Sequence, residues 1–132
     1  MFRILIVEDS FLFRKLLKET LQSQFPAMEI IEATDGKEAL EKIDFSNPHL
    51  VFMDIELRGQ NGFELTKRIK TQYPQTIIII LTSHDLLEYR EAAYQNSADY
   101  FLSKGSATKA EILALVDSIL PDRRSLTDIK PN

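Results

Sequence analysis

Short apolar runs recur along the chain, three of them unbroken by any polar residue, and most are followed by apolar residues at helical spacing. The runs are Ile4-Leu5-Ile6-Val7, the segment around Glu29-Ile30-Ile31, Leu50-Val51-Phe52-Met53, Ile77-Ile78-Ile79-Ile80-Leu81 and Ala98-Asp99-Tyr100-Phe101-Leu102. Runs of strand length that do not alternate with polar residues suit strands covered on both faces, as in a parallel sheet between helices. After the first run, Phe13, Leu17, Leu21 and Phe25 repeat every four residues, and the spacing places Leu16 on the same face. Ala39, Leu40 and Ile43 follow the second run, and Leu65, Ile69 and Tyr73 the third. Ile112, Leu113, Val116, Ile119 and Leu120 form the last stripe. Pro26, Pro48 and Pro74 stand at or just before strand starts, and Asp35-Gly36 reads as a turn opening the second helix. Strands alternating with helices of roughly ten to fifteen residues predict repeated βαβ units. The expected fold is a five-stranded, doubly wound α/β domain with helices on both faces.

The chain has 132 residues, the length of one domain. The periodic pattern stops at Leu120, so residues 1–120 are expected to form the domain and 121–132 a flexible tail or a linker severed from a longer chain. The absence of cysteine excludes disulfides and thiolate metal sites. A net charge of −4 argues against a basic nucleic-acid clamp. Every apolar run is too short to span a bilayer, and the first is cut off by Glu8 and Asp9. These features together predict a cytoplasmic domain with no membrane or direct nucleic-acid contact.

In an open α/β sheet the functional crevice lies beyond the carboxyl ends of the strands. The polar residues at those ends are Glu8, Asp9 and Ser10 after the first run, Asp54 after the third, Thr82 and Ser83 after the fourth, and Lys104 after the fifth. Three carboxylates at one sheet end repel one another unless a cation sits among them, and Mg²⁺ accepts such oxygen ligands. Glu8, Asp9 and Asp54 would supply that partial shell. A site of this kind recruits phosphoryl groups, and an aspartate can attack one to form an acyl phosphate. Lys104 by charge and the Thr82 hydroxyl by a hydrogen bond would hold the phosphoryl oxygens.

Val7-Glu8-Asp9-Ser10, Met53-Asp54-Ile55, Leu81-Thr82-Ser83 and Leu102-Ser103-Lys104 together resemble the receiver domain of bacterial two-component response regulators. The resemblance covers roughly residues 2–120, and Gly62, eight positions after Asp54, matches a glycine of the family's loop. It implies the flavodoxin-like strand order 2-1-3-4-5. It implies a phosphorylation-dependent signalling switch rather than an enzyme, with Asp54 as acceptor from a sensor histidine kinase or phosphotransfer protein. Glu8, Asp9, Asp54 and the main-chain carbonyl of Glu56 would bind Mg²⁺, and Lys104 would pair with the phosphoryl group. Thr82 would move to meet that group, and Phe101 would occupy the place of the switch aromatic. Glu56 and His84 stand where the family tunes the lifetime of the acyl phosphate. The readout would be a changed face of the fourth helix, fifth strand and fifth helix, presented to a downstream protein or to a second copy in a phosphorylation-linked homodimer. Gly105 and Arg58 replace prolines usual in the family, and Glu8-Asp9 replaces the commoner Asp-Asp.

Simpler readings stand beside these roles. Asp54 could be a strand-end cap, Glu8-Asp9 with Ser10 could cap the first helix, and Thr82-Ser83 the helix after the fourth strand. Lys104 could be a solvated lysine, and Phe101 simply core. His49 and His84 read as surface or loop histidines, while Tyr89, Tyr94 and Tyr100 form a partner face or pack with their hydroxyls in water. A dehalogenase-type phosphohydrolase would need an aspartate where Glu56 stands, and a flavodoxin-like carrier a hydroxyl- and glycine-rich loop where Glu8-Asp9-Ser10-Phe11 stands. Two further readings are the receiver half of a truncated DNA-binding transcriptional regulator, suggested by the texture of Glu88 to Ala93, and a receiver that binds its partner constitutively without phosphorylation.

Overall fold

The computed structural model describes residues 1–121. The expected tail lies, but for Pro121, outside the described residues. Five strands, β1 (Arg3–Val7), β2 (Glu29–Ala33), β3 (Leu50–Asp54), β6 (Ile77–Thr82) and β7 (Tyr100–Ser103), form one sheet in the order β2-β1-β3-β6-β7. All its pairings are parallel, with Val7 beside Met53 and Asp54 beside Leu81. A two-stranded antiparallel hairpin, β4 (Glu56–Leu57) and β5 (Gln60–Asn61), follows β3. The helices are α1 (Phe11–Gln24), α2 (Gly36–Ser46), α3 (Gly62–Gln72), α4 (Leu87–Gln95) and α5 (Lys109–Ile119). This is the flavodoxin-like, doubly wound topology that the resemblance implies.

Successive side chains of a strand point to opposite faces, so each apolar run supplies two cores at once. Leu5, Val7, Val51, Met53, Ile78 and Ile80 face Ala39, Ile43, Leu65, Ile69 and Ala93 of α2, α3 and α4. Ile4, Ile6, Leu50, Phe52, Ile79 and Leu81 face Leu17, Leu21, Ile112 and Val116 of α1 and α5. Enclosing an aliphatic side chain of this size contributes about 1.5–3 kcal/mol, and the unbroken runs spend no position on a polar residue. One expectation fails here. Leu16 is 46% exposed, because one residue from Leu17 is a turn of about 100° around a helix, which carries it off the stripe of Leu17 and Leu21.

Helix starts are fixed by side-chain caps. Ser10, Asp35 and Asn61 accept bonds from Phe13, Glu38 and Phe63 N–H, and Thr108 forms a reciprocal capping box with Glu111. α4 is the exception: it starts after Leu86 with no side-chain cap. Thr82 and Ser83 therefore do not cap it.

Candidate functional site

The carboxyl ends of β1, β3, β6 and β7 bring the sequence-selected polar residues to one place. Glu8, directly after β1, is fully buried. Its N–H donates to the Ala33 carbonyl, while its Oε2 accepts from Ser10 N–H at 3.0 Å. The first-turn cap and the acidic side chain are thus parts of one local structure. Asp54 ends β3, almost fully buried, with Oδ1 accepting the Glu56 N–H at 3.0 Å. Asp9 is exposed at the mouth. Lys104 follows β7, with Nζ 2.6 Å from Glu8 Oε1 and 3.6 Å from Asp54 Oδ2. Its main-chain N–H donates to the Thr82 carbonyl at 2.8 Å. Thr82 is fully buried and its hydroxyl oxygen accepts from His84 N–H at 3.0 Å.

Two carboxylates share one ammonium, and the charge balance shows in their titration. Burial pushes the Glu8 carboxyl up to about 7, with the Asp54 charge adding to it, against hydrogen bonds from Lys104 and Ser10 that pull it down. Burial likewise raises Asp54, opposed by the Glu56 N–H and the Lys104 charge. Glu8 Oε1, apart from its ion pair, accepts no aligned hydrogen bond. One carboxylate oxygen each from Glu8, Asp9 and Asp54 lies within 4.8 Å of the others. Hard oxygen donors, excess negative charge and an under-bonded buried oxygen fit a divalent cation such as Mg²⁺.

Around this centre, Glu56 and His84 pair across the mouth at 2.9 Å (Oε2 to Nε2), and the Ser83 hydroxyl donates to Glu56 Oε1 at 3.2 Å. Tyr89 packs between the rings of His84 and Phe63, so it belongs to the wall of the site, whereas Tyr94 and Tyr100 are exposed. His49 lies at the other end of the sheet, where its Nδ1 accepts from Arg3 N–H and its ring stacks on Phe2. Phe101 is buried beneath the Arg90 guanidinium, 4.7 Å from its ring centroid, and Arg90 is paired with Asp85 at 2.9 Å. Neither Arg90 nor Phe13, whose ring lies against Lys104, was singled out as functional by the sequence. Both contacts join distant segments, and no spacing rule encodes them.

The two replaced prolines have separate explanations. Arg58 and Gly59 form the two-residue turn of the hairpin, with Gly59 at φ 75°. That is the pattern of a type II turn, which favours proline before the glycine without requiring it. Gly105 follows Lys104 in open space, with no cis peptide in the described chain.

The family model for the response regulator receiver domain matches residues 4–117. The chain belongs to this receiver family. It is 35% identical over 104 residues to the sensory transduction protein LytT of Bacillus subtilis, covering 79% of this chain and 42% of that one. It is 31% identical over 114 residues to the transcriptional regulatory protein DegU of Brevibacillus brevis, covering 86% and 48%. Among solved structures it resembles the chemotaxis protein CheY4 of Vibrio cholerae (28% identity, TM-score 0.82, 91% and 99% coverage). It also resembles a receiver domain protein of Methanospirillum hungatei (25%, TM-score 0.82, 90% and 93%). The chain spans less than half the length of these two curated relatives. Receiver domains of this family are signalling domains that catalyse their own phosphorylation and dephosphorylation, and the acidic cluster of this chain is consistent with the family's phospho-accepting, Mg²⁺-binding site. Among the described residues no helix is long and apolar enough to cross a membrane.

Proposed function

We propose that residues 1–120 are a phosphorylation-driven switch in which Asp54 takes a phosphoryl group from the phosphohistidine of a sensor histidine kinase or phosphotransfer protein. An Asp54 carboxylate oxygen attacks phosphorus, the phosphorus–nitrogen bond breaks, and its electron pair returns to the imidazole. The observation that carries this reading is the seat of Asp54: a buried carboxylate at the end of the central strand, one oxygen held by the Glu56 N–H and the other turned toward Lys104. Glu8, Asp9, Asp54 and the Glu56 carbonyl would hold Mg²⁺, which would neutralise charge on the phosphoryl oxygens. Lys104 pairs with those oxygens. Thr82, whose hydroxyl proton is free to donate while its oxygen accepts from His84, bonds another.

Movement of Thr82 carries the loop that contains Asp85, and Asp85 holds Arg90 over Phe101. That chain of contacts supports a readout at the face of α4, β7 and α5, met by a downstream protein or by a second copy of the chain. DegU, named a transcriptional regulatory protein, supports the alternative that this receiver serves a transcriptional regulator. The Glu56 carboxylate, occupied by His84 and Ser83, is kept from activating water. His84→Ala is therefore expected to shorten the life of the acyl phosphate, read as phosphate release after a phosphorylation pulse.

The deciding experiment is intact-mass measurement after incubation with Mg²⁺ and acetyl phosphate, and with phosphorylated kinase. A Mg²⁺-dependent phosphoryl adduct lost in Asp54→Asn supports the reading. Failure with both donors, in a folded protein, sinks it and leaves constitutive partner binding in front.

A further inference from the structure

Lys104 is held by less than its position suggests. The next residue is Gly105, and a Cβ there would meet nothing within 4 Å, so no side chain braces the loop at that point. The main chain is tied by Lys104 N–H to the Thr82 carbonyl (2.8 Å) and by Ala107 N–H to the Ser103 carbonyl (2.9 Å). The side chain is a flexible four-carbon stem whose ammonium must be fixed by what it touches. It touches Glu8 Oε1 at 2.6 Å and Asp54 Oδ2 at 3.6 Å, and its Nζ lies 4.8 Å from the centroid of the Phe13 ring. The two carboxylates are the groups that a cation and a phosphoryl group would engage. Phe13 is not.

Phe13 is itself well anchored. Its N–H donates to Ser10 Oγ at 3.3 Å, and its ring packs against the core under α1 and α5. The adjacent Arg14 donates through Nη1 to the Glu8 carbonyl at 2.8 Å and pairs through Nε with Glu32 at 3.0 Å. The first turn of α1 is thereby pinned to the ends of β1 and β2.

We propose that Phe13 is a positioning residue for Lys104: its ring face seats the ammonium between Glu8 and Asp54 and substitutes for the rigid loop that this chain lacks. The inference rests on the reading of Asp54 as phosphoacceptor. A ring face within about 6 Å attracts a cation through its quadrupole. It carries no net charge, so it neither competes for Mg²⁺ nor repels the phosphoryl group. The seat therefore persists while the carboxylates change partners, and the ammonium is already in place when charge arrives.

Two measurements on the full chain test this. Ring-current shifts of the Lys104 Cε protons are expected in the wild type and lost in Phe13→Leu. Their absence in the wild type overturns the proposal whatever the phosphorylation result. The rate of Asp54 phosphorylation by acetyl phosphate, at saturating Mg²⁺, is expected to fall about three- to tenfold in Phe13→Leu. It should be largely kept in Phe13→Tyr. It should decline step by step as fluorine is added to the ring at position 13 by site-specific incorporation, a trend that packing alone would not produce. Equal rates in Phe13→Leu and wild type, or a flat fluorine series, overturn the positioning role. Absence of any adduct in the wild type, or an unchanged rate in Lys104→Ala, removes the underlying reading of the site and this proposal with it, and is told apart by being seen without any change at Phe13.

Discussion

The carboxyl of Glu8 is enclosed by protein and stands beside that of Asp54, with the Lys104 ammonium shared between them. Its pKa near 7 in the folded protein lies above the ordinary 4.5, chiefly through burial. Between those values the folded state holds a proton that the unfolded chain has released. Stability is lost as pH rises through that window, and regained as pH falls below it. Without divalent cation, the stability gain of Glu8→Gln over wild type is expected to grow as pH is raised from about 5 to about 7.5, read as the difference in Tm. An unchanged difference across that range would mean that Glu8 is charged throughout. His49, lowered by burial and by the charge of Arg3, works with the opposite sign: it is protonated more readily in the unfolded chain, so its contribution is lost as pH falls. Taking the difference between the two proteins cancels His49 and leaves Glu8 with its neighbour Asp54, which burial also raises. At this scale the sequence placed Glu8, Asp54, Thr82 and Lys104 together because strand ends can be read from the apolar runs. It was silent on the contacts of Phe13 and Arg90, which depend on which ring or cation another part of the chain brings alongside.

The segment between β3 and α3 shows how a local element sets the geometry of the Asp54 side chain. Gly62 opens α3, and a Cβ on it would lie 2.5 Å from both the Asp54 carbonyl oxygen and the Ile55 Cα. Both are backbone atoms with no rotamer to give. Gly62→Ala is expected to destabilise the domain by about 1–3 kcal/mol and to slow phosphorylation by displacing Asp54, checked by chemical denaturation alongside the mass assay. A neutral substitution would mean that α3 can slide away without moving β3. Arg58 is the converse case. It occupies the position before Gly59 where a type II turn favours proline, so Arg58→Pro is expected to raise stability by about 0.4–1 kcal/mol through the unfolded chain. A loss in the same denaturation assay would show that the turn needs the Arg58 N–H or a different φ. The helices were legible in part: stripes placed α1, α2, α3 and α5, Ser10 and Asp35 opened two of them, the Thr108 cap was not read, and Leu16 was misassigned because adjacent apolar residues leave the edge of a stripe undetermined.

Across the whole molecule, the parallel order β2-β1-β3-β6-β7 is what turns scattered polar residues into one site, since it aims every strand's carboxyl end the same way. The unbroken apolar runs disclosed the parallel sheet, because only strands covered on both faces can spare every polar position. Strand order was not contained in those runs, since any arrangement of five such strands buries similar surface. The consequence is a domain with an apolar cluster on each face of the sheet and three carboxylates gathered at one end of it. That end is a local cost carried by the rest of the fold, and a cation bound there would relieve it. A cation that binds the folded chain alone, present at ten times its Kd, stabilises by about 1.4 kcal/mol, a rise in Tm of about 3–6 °C for a domain of this size. Mg²⁺ is therefore expected to raise Tm in the wild type. Asp9→Asn, which alters an exposed carboxylate and leaves the buried pair intact, is expected to abolish most of that rise while changing the cation-free Tm little. An equal rise in wild type and Asp9→Asn would place the cation elsewhere on the surface, and the buried carboxylates would then have to be balanced by Lys104 and protons alone.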